Sequence, residues 1–456
     1  MRKEDLQDAI GNIDEKYLDK VDKNRNYSQT STLKRWVLVA AAFAIILYSG
    51  INLYRAYDKK YLLSEADTVK FNDIDEYKTE EIQNVSKVNN GLKSFFEKSK
   101  NTILDSKSEG NQIYSPINTY IAYSILAEIT NTETREELME LIGVEDISNL
   151  KKEMQDLISI NQIDDNDEMI KIANSLWLKE ADKEDYKKEM LDILSKYYYA
   201  SIYSGDFEDE KYSEAFRNWV NKNTNDLLKD LMKDYKFATN NALSLASTIY
   251  LKNSWYSKFY KTDNTFELFN TGKEEKKIEF MNNEFSNSPY IKTDDFEATS
   301  LILNSNGTNM WFFLPREDKT VSDVLENNNL YDVIDSIEDL NTYSLLLSLP
   351  KFTIESDINL VEKTKEMGVK KIFEDNADFS NITDNSLRVS NFNHKVKLIV
   401  NEDGVEAAAV TIVDKETAMA LPQNDTVELK LDRPFIFIIT GQDNIPLFTG
   451  IVNNPQ

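Results

Sequence analysis

A single histidine, His394, and no cysteine in 456 residues restrict the chemistry open to this chain. Without a thiol there is no thiolate nucleophile, disulfide framework or zinc–thiolate site. With one imidazole there is no His-Glu-x-x-His helix. The sequence also lacks a Gly-x-Ser-x-Gly elbow, a Gly-x-x-x-x-Gly-Lys-Ser/Thr phosphate loop and a dinucleotide fingerprint. The acidic run Asp164, Asp165, Asp167 and Glu168 has no glycine for an EF-hand turn, so it reads as a solvated loop. No metal or cofactor is expected. An enzyme would have to place His394 in a catalytic site, whereas a lone histidine reads first as a buried structural one.

The chemistry that remains is that of a mobile strand. Residues 402–411 read Glu-Asp-Gly-Val-Glu-Ala-Ala-Ala-Val-Thr. Val405, Ala407, Ala409, Thr411 and Val413 alternate along one face, and none is large or charged, while Glu406 and Asp414 have the opposite parity. Such period-two alternation suits a strand that can slide into the middle of a sheet. From Asp414 to Thr426 the chain turns polar and reads as an exposed loop.

The elements that must carry this segment follow from composition and periodicity. With 41% hydrophobic residues, the chain can bury a large core. Its formal net charge of -26 disfavours nucleic acid and anionic lipid as partners. Residues 1–35 are polar, with 8 Lys/Arg against 7 Asp/Glu, and residues 36–53 are uncharged and flanked by Trp36 and Tyr54. That stretch is long enough to cross a bilayer as an uncleaved anchor, with a cleaved signal peptide as the rival reading, and Lys34 and Arg35 favour a cytoplasmic N-terminus. Residues 54–81 read as a stalk and 82–456 as the globular domain, outside the cell. Helical periodicity runs over 88–103, 119–129, 134–141, 183–196 and 213–232. Strand patterns follow at 244–251, 299–303, 309–314, 343–349, 395–400, 426–431 and 435–440. Helices first and strands later predict an α+β domain.

Several blocks in this domain resemble the serpin family, inhibitors that insert their cleaved loop into a β-sheet. They are Asn111-Gln-Ile-Tyr-Ser115-Pro116-Ile-Asn118, Ile172-Ala-Asn174-Ser-Leu-Trp-Leu, Trp219-Val with Thr224, Leu245-Ala-Ser247 through Trp255, Leu349-Pro-Lys351-Phe, Asp378-Phe-Ser380, Asp432-Arg-Pro-Phe435 and Pro446-Leu-Phe-Thr-Gly450. They occur in serpin order over about 85–455. The resemblance implies a serpin fold of three β-sheets with eight to nine helices and an exposed reactive loop, here in a membrane-anchored, bacterial-type member.

It also implies roles. Glu402, Gly404, Val405, Ala407, Ala408, Ala409 and Thr411 form the hinge. The family's usual spacing places the reactive bond at Ala418–Met419, although the segment before Leu429 is about five residues longer than in common relatives. Ser115, Asn118, Ser247 and His394 form the shutter, where Asn118 and Ser247 have exchanged the residue types usual at their positions. The exchange suggests an amide and a hydroxyl kept near His394. Trp255, Lys351 and Glu402 form the breach. The implied partner is a serine protease, elastase-like or subtilisin-like because Ala418 is small, met by a monomer at the cell membrane. The rival expectation is a non-inhibitory serpin acting as a binding or chaperone module. Such members carry a bulky, charged or proline-rich hinge, and this chain does not.

Overall fold

Alternation and apolar faces sort the chain into two sheets and a layer of helices. The structure is a computed structural model and describes residues 60–68, 79–164, 168–180, 185–238, 242–303, 307–336, 341–405 and 425–455. The 36–53 segment, Ala407, Ala408, Ala409, Thr411 and the Ala418–Met419 bond lie outside the described residues. Among the described residues, no helix is long and apolar enough to cross a membrane.

The main sheet has eight strands. Its order is β1 (Leu62–Ser64), β5 (Ala200–Gly205), β4 (Met169–Lys179), β6 (Leu243–Ser254), β14 (Gly404–Val405), β13 (Asn393–Asn401) and β12 (Phe352–Asn359), with β3 (Ile163–Asp164) beside β4. The second sheet runs β15 (Thr426–Lys430), β11 (Thr342–Pro350), β8 (Glu275–Lys292), β9 (Phe296–Leu303), β10 (Thr308–Pro315), β16 (Phe435–Thr440), β17 (Pro446–Val452) and β2 (Gln112–Tyr114), with β7 (Thr265–Asn270) on β8.

Helices α1 (Thr79–Ile103), α2 (Pro116–Ile129), α3 (Thr132–Ile142), α4 (Leu150–Asn161) and α5 (Lys188–Tyr197) precede the crossing helix α6 (Glu210–Asn223). All residues of α2 are buried, as expected of a helix that is apolar all round, and Ser115 caps it with Pro116 in its first turn. Helix α6 is one-sided: Tyr212, Phe216, Trp219 and Val220 point inward at helical spacing. They meet Trp177 and Phe237 in an aromatic cluster separate from the main core.

Four expectations change. Among the described residues there are two sheets where the resemblance implies three, and ten α-helices where it implies eight to nine. The single helix expected over 213–232 is two, α6 and α7 (Lys229–Met232). Asn225 and Asp226 both adopt left-handed backbone, at φ 49° and 62°, which ends the first helix. The domain also begins before residue 82. Residues of the expected stalk add β1 to the edge of the main sheet, pairing Leu62 with Tyr203 and Ser64 with Ile202. The Tyr61 ring meets that of Tyr212 at 5.0 Å, tilted by 54°, and its hydroxyl donates to Asp209, the N-cap of α6, at 2.9 Å.

Candidate functional site

The main sheet is not closed. Strand β6 pairs along its length with β4, and β13 with β12. Between β6 and β13, the only ladder among the described residues is the two-residue strand β14. Gly404 faces Ser254 and Asn401, and Val405 faces Asn253 and Val400. Below that point the two strands present unmatched edges to each other. A small cavity of about 40 Å³ lies there, lined by Phe216 of α6, Ser247 of β6 and Asn393 and Lys395 of β13. An unpaired strand edge is a template for another strand, and here two of them flank one gap.

Gly404 is where the chain turns into this gap. Its φ of +147° is a conformation that side chains resist, and a Cβ would overlap the Asn253 carbonyl. Val405, fully buried, is the first residue to enter.

The breach is held from three sides. Trp255, 2% exposed, donates its indole N–H to the Asn401 carbonyl at 2.7 Å and its main-chain N–H to Asp403 at 3.3 Å. Lys351 Nζ lies 3.2 Å from Glu402 and 2.5 Å from Glu279. Asn264 donates to both carboxylates, at 2.6 and 2.8 Å. Burial opposes ionisation of Glu402, but hydrogen bonds from its own backbone, Asn264 and Lys351 outweigh it and hold the carboxyl below its ordinary pKa. Burial likewise opposes the Lys351 ammonium, and Glu279 and Glu402 together raise its pKa. The expected pair Lys351–Glu402 is therefore one side of a triad. Glu279 and Asn264 escape sequence reasoning because each looks like an ordinary polar residue of an exposed strand or turn.

The shutter differs from expectation. His394 is 5% exposed and lies on the buried face of β13 with Val396, Leu398 and Val400. Its Nε2 accepts the main-chain N–H of Ser115 at 2.9 Å. No hydrogen bond joins it to Asn118 or Ser247 among the described residues, and Asn118 Oδ1 and Ser247 Oγ are buried without partners there. The reason is local. Ser115 is an N-cap whose own N–H points out of the helix, while its Oγ accepts from the Asn118 N–H at 3.3 Å. The imidazole thus meets a helix terminus, and the suggested exchange between Asn118 and Ser247 does not bring either side chain to it. Ser247 instead sits opposite Asn174 in the β6–β4 ladder. Burial lowers the His394 pKa to about 4, so the ring is neutral at ordinary pH.

The chain that carries this arrangement is similar to known proteins. The sequence model described as Serpin (serine protease inhibitor) matches residues 91–455. The chain belongs to the serpin family. Neuroserpin of Homo sapiens is 26% identical over 365 residues, 76% of this chain and 86% of that protein. Serpin B4 of Homo sapiens is 27% identical over 372 residues, 76% of this chain and 94% of that protein. The crystal structure of the thermophilic serpin tengpin in its native state aligns with a TM-score of 0.73 and 26% identity, covering 86% of this chain and 99% of tengpin. Serpins are in general inhibitors of serine proteases rather than enzymes. Membrane anchoring and a bacterial type draw no support from these likenesses.

Proposed function

We propose that this serpin inhibits serine proteases as a suicide substrate. The target attacks the loop at Ala418–Met419 and forms an acyl-enzyme. The hinge, freed at one end, then fills the gap between β6 and β13 before water hydrolyses the ester. The observation that carries this reading is the main sheet itself, joined across its middle, among the described residues, by Gly404 and Val405 alone. Val405, Ala407, Ala409, Thr411 and Val413 supply a small, uncharged inward face for the rest. Ordering each of those residues costs about 1–2 kcal/mol of backbone entropy, which hydrogen bonds on both strand edges and burial must exceed. An unpaired charge on that face would cost several kcal/mol more, and none occurs before Lys415.

Ala418 favours a protease with a small apolar specificity pocket, elastase-like or subtilisin-like. Residues 36–53 would hold the inhibitor on a membrane with residues 1–35 in the cytoplasm and the inhibitory domain outside. The test is to incubate the full chain with elastase and subtilisin and to look for an adduct stable in SDS. Cleavage with complete protease turnover and no adduct would point to a substrate or binding module instead.

A further inference from the structure

A pocket of about 330 Å³ opens on the second sheet close to the breach. No described residue lining it is charged, in a chain where 29% of residues are Asp, Glu, Lys or Arg. Its floor is apolar, formed by Phe285 and Leu301, 7% and 4% exposed. Its rim carries Tyr256 and Ile302, 68% and 51% exposed, two of six exposed large apolar side chains among the described residues. The Tyr256 N–H donates to the Ile302 carbonyl at 3.0 Å, which keeps the two segments side by side. The polar part of the wall consists of hydroxyls and amides, among them those of Ser257, Ser300, Thr342, Asn287 and Asn309. Apolar floors with a few uncharged polar groups, in cavities of about 300–1,000 Å³, are the usual form of small-molecule sites. An ion entering this pocket would shed water without meeting a counter-charge.

The floor is connected to the hinge. Phe285 packs edge-to-face on Phe259 at 5.4 Å, and Phe259 edge-to-face on Trp255 at 5.7 Å. Trp255 in turn holds the carbonyls of Asn401 and Asp403, directly before Gly404. A hinge that advances into the sheet has to rearrange those contacts, so a ligand that packs on Phe285 and Tyr256 binds the arrangement before insertion more tightly and shifts the population toward it.

We propose that this pocket binds an uncharged aromatic molecule bearing hydroxyl or carbonyl groups, and that its occupancy restrains the hinge. The coupling to insertion rests on the inhibitory reading above, whereas binding does not. The experiment is hydrogen exchange, resolved by peptide, on the full chain with and without millimolar 2-naphthol as the probe. Exchange is expected to slow at least threefold in peptides covering 285–289 and 300–302, and also in 401–405. In the doubly substituted Tyr256→Ser, Ile302→Ser chain both effects should vanish, and folding is retained because both side chains are exposed. Replacing the exposed Leu346 by Ser, outside the pocket, should leave both effects intact. Unchanged exchange at 285–302, or protection that survives the double substitution, overturns the site. Protection there with unchanged exchange at 401–405 overturns the coupling. Neither readout needs a protease, so a chain that fails to trap proteases but shows this pattern defeats the inhibitory reading and leaves the pocket standing.

Discussion

At the scale of single residues, Val405 is where insertion is decided. It is the last described residue before the loop, already buried between Asn253 and Val400. Val405→Arg leaves the cleavage segment untouched, but a charge cannot stay at this buried position, so the substituted residue is driven out of the sheet and insertion loses its starting point. The expected product is a chain cleaved at the same bond and initial rate with little covalent complex, read by gel densitometry. Wild-type stoichiometry would remove 404–411 from the role of hinge.

His394 makes a different prediction. Its folded pKa, about 4, lies below the unfolded value of about 6.5. The unfolded chain therefore takes up a proton first as pH falls. The contribution of the neutral ring is fully present above about pH 6.5 and is lost between there and pH 4, with a limit of about 3 kcal/mol. His394→Gln should flatten urea-unfolding stability over that window. The lowered Glu402 pKa acts lower down: its contribution is present above the ordinary carboxyl value of about 4.3 and disappears as pH falls through the folded one. Glu402→Gln should abolish the acid loss of protection at Trp255, measured by indole hydrogen exchange.

At the scale of elements, the crossing helix and central strands are legible because each carries a strong local period. Strand β13 alternates without a break, and α6 keeps its apolar stripe for its whole length. What the sequence hid depends on pairing between distant segments. Glu279 joins Lys351 and Glu402 only because β8 crosses β11 beside the breach. Ser115 reaches His394 through the N–H of a helix cap, which no side-chain pattern encodes. Strand β1 is three residues long, too short for a period, and was read as stalk. Its anchor is Tyr61, 7% exposed against the α6 cluster. Tyr61→Ala removes a buried ring and the bond to the α6 cap, and should lower unfolding stability by about 3 kcal/mol in urea titration. Tyr61→Phe keeps the ring and should lose only about 1 kcal/mol.

At the scale of the whole molecule, two facing strand edges without a ladder describe a native sheet that can gain hydrogen bonds by closing. Nicking the chain between Ile412 and Leu421 with a protease that is not trapped should therefore raise the melting temperature. A melting temperature that stays level or falls would mean that the gap between β6 and β13 is not a vacancy for the hinge. The second sheet imposes the reverse condition at its centre, since β16 and β17 are buried along their whole lengths.

That second sheet sets a clock on synthesis. Among the described residues, strand β2 pairs only with β17, joining Ile113 to Gly450, and Asn111 receives the backbone of Asn453 and Asn454 at 2.8 Å. The partners are 450 − 113 = 337 residues apart. At a ribosomal pace of about 5–20 residues per second, β2 waits roughly 17 to 70 seconds for its neighbour. Residues 404–405 and both lips of the gap are made before β17 is, so the main sheet is complete in sequence while the second sheet is still missing a strand. On the inhibitory reading, whatever keeps the hinge from filling that gap prematurely acts on a nascent chain, before β17 has left the ribosome.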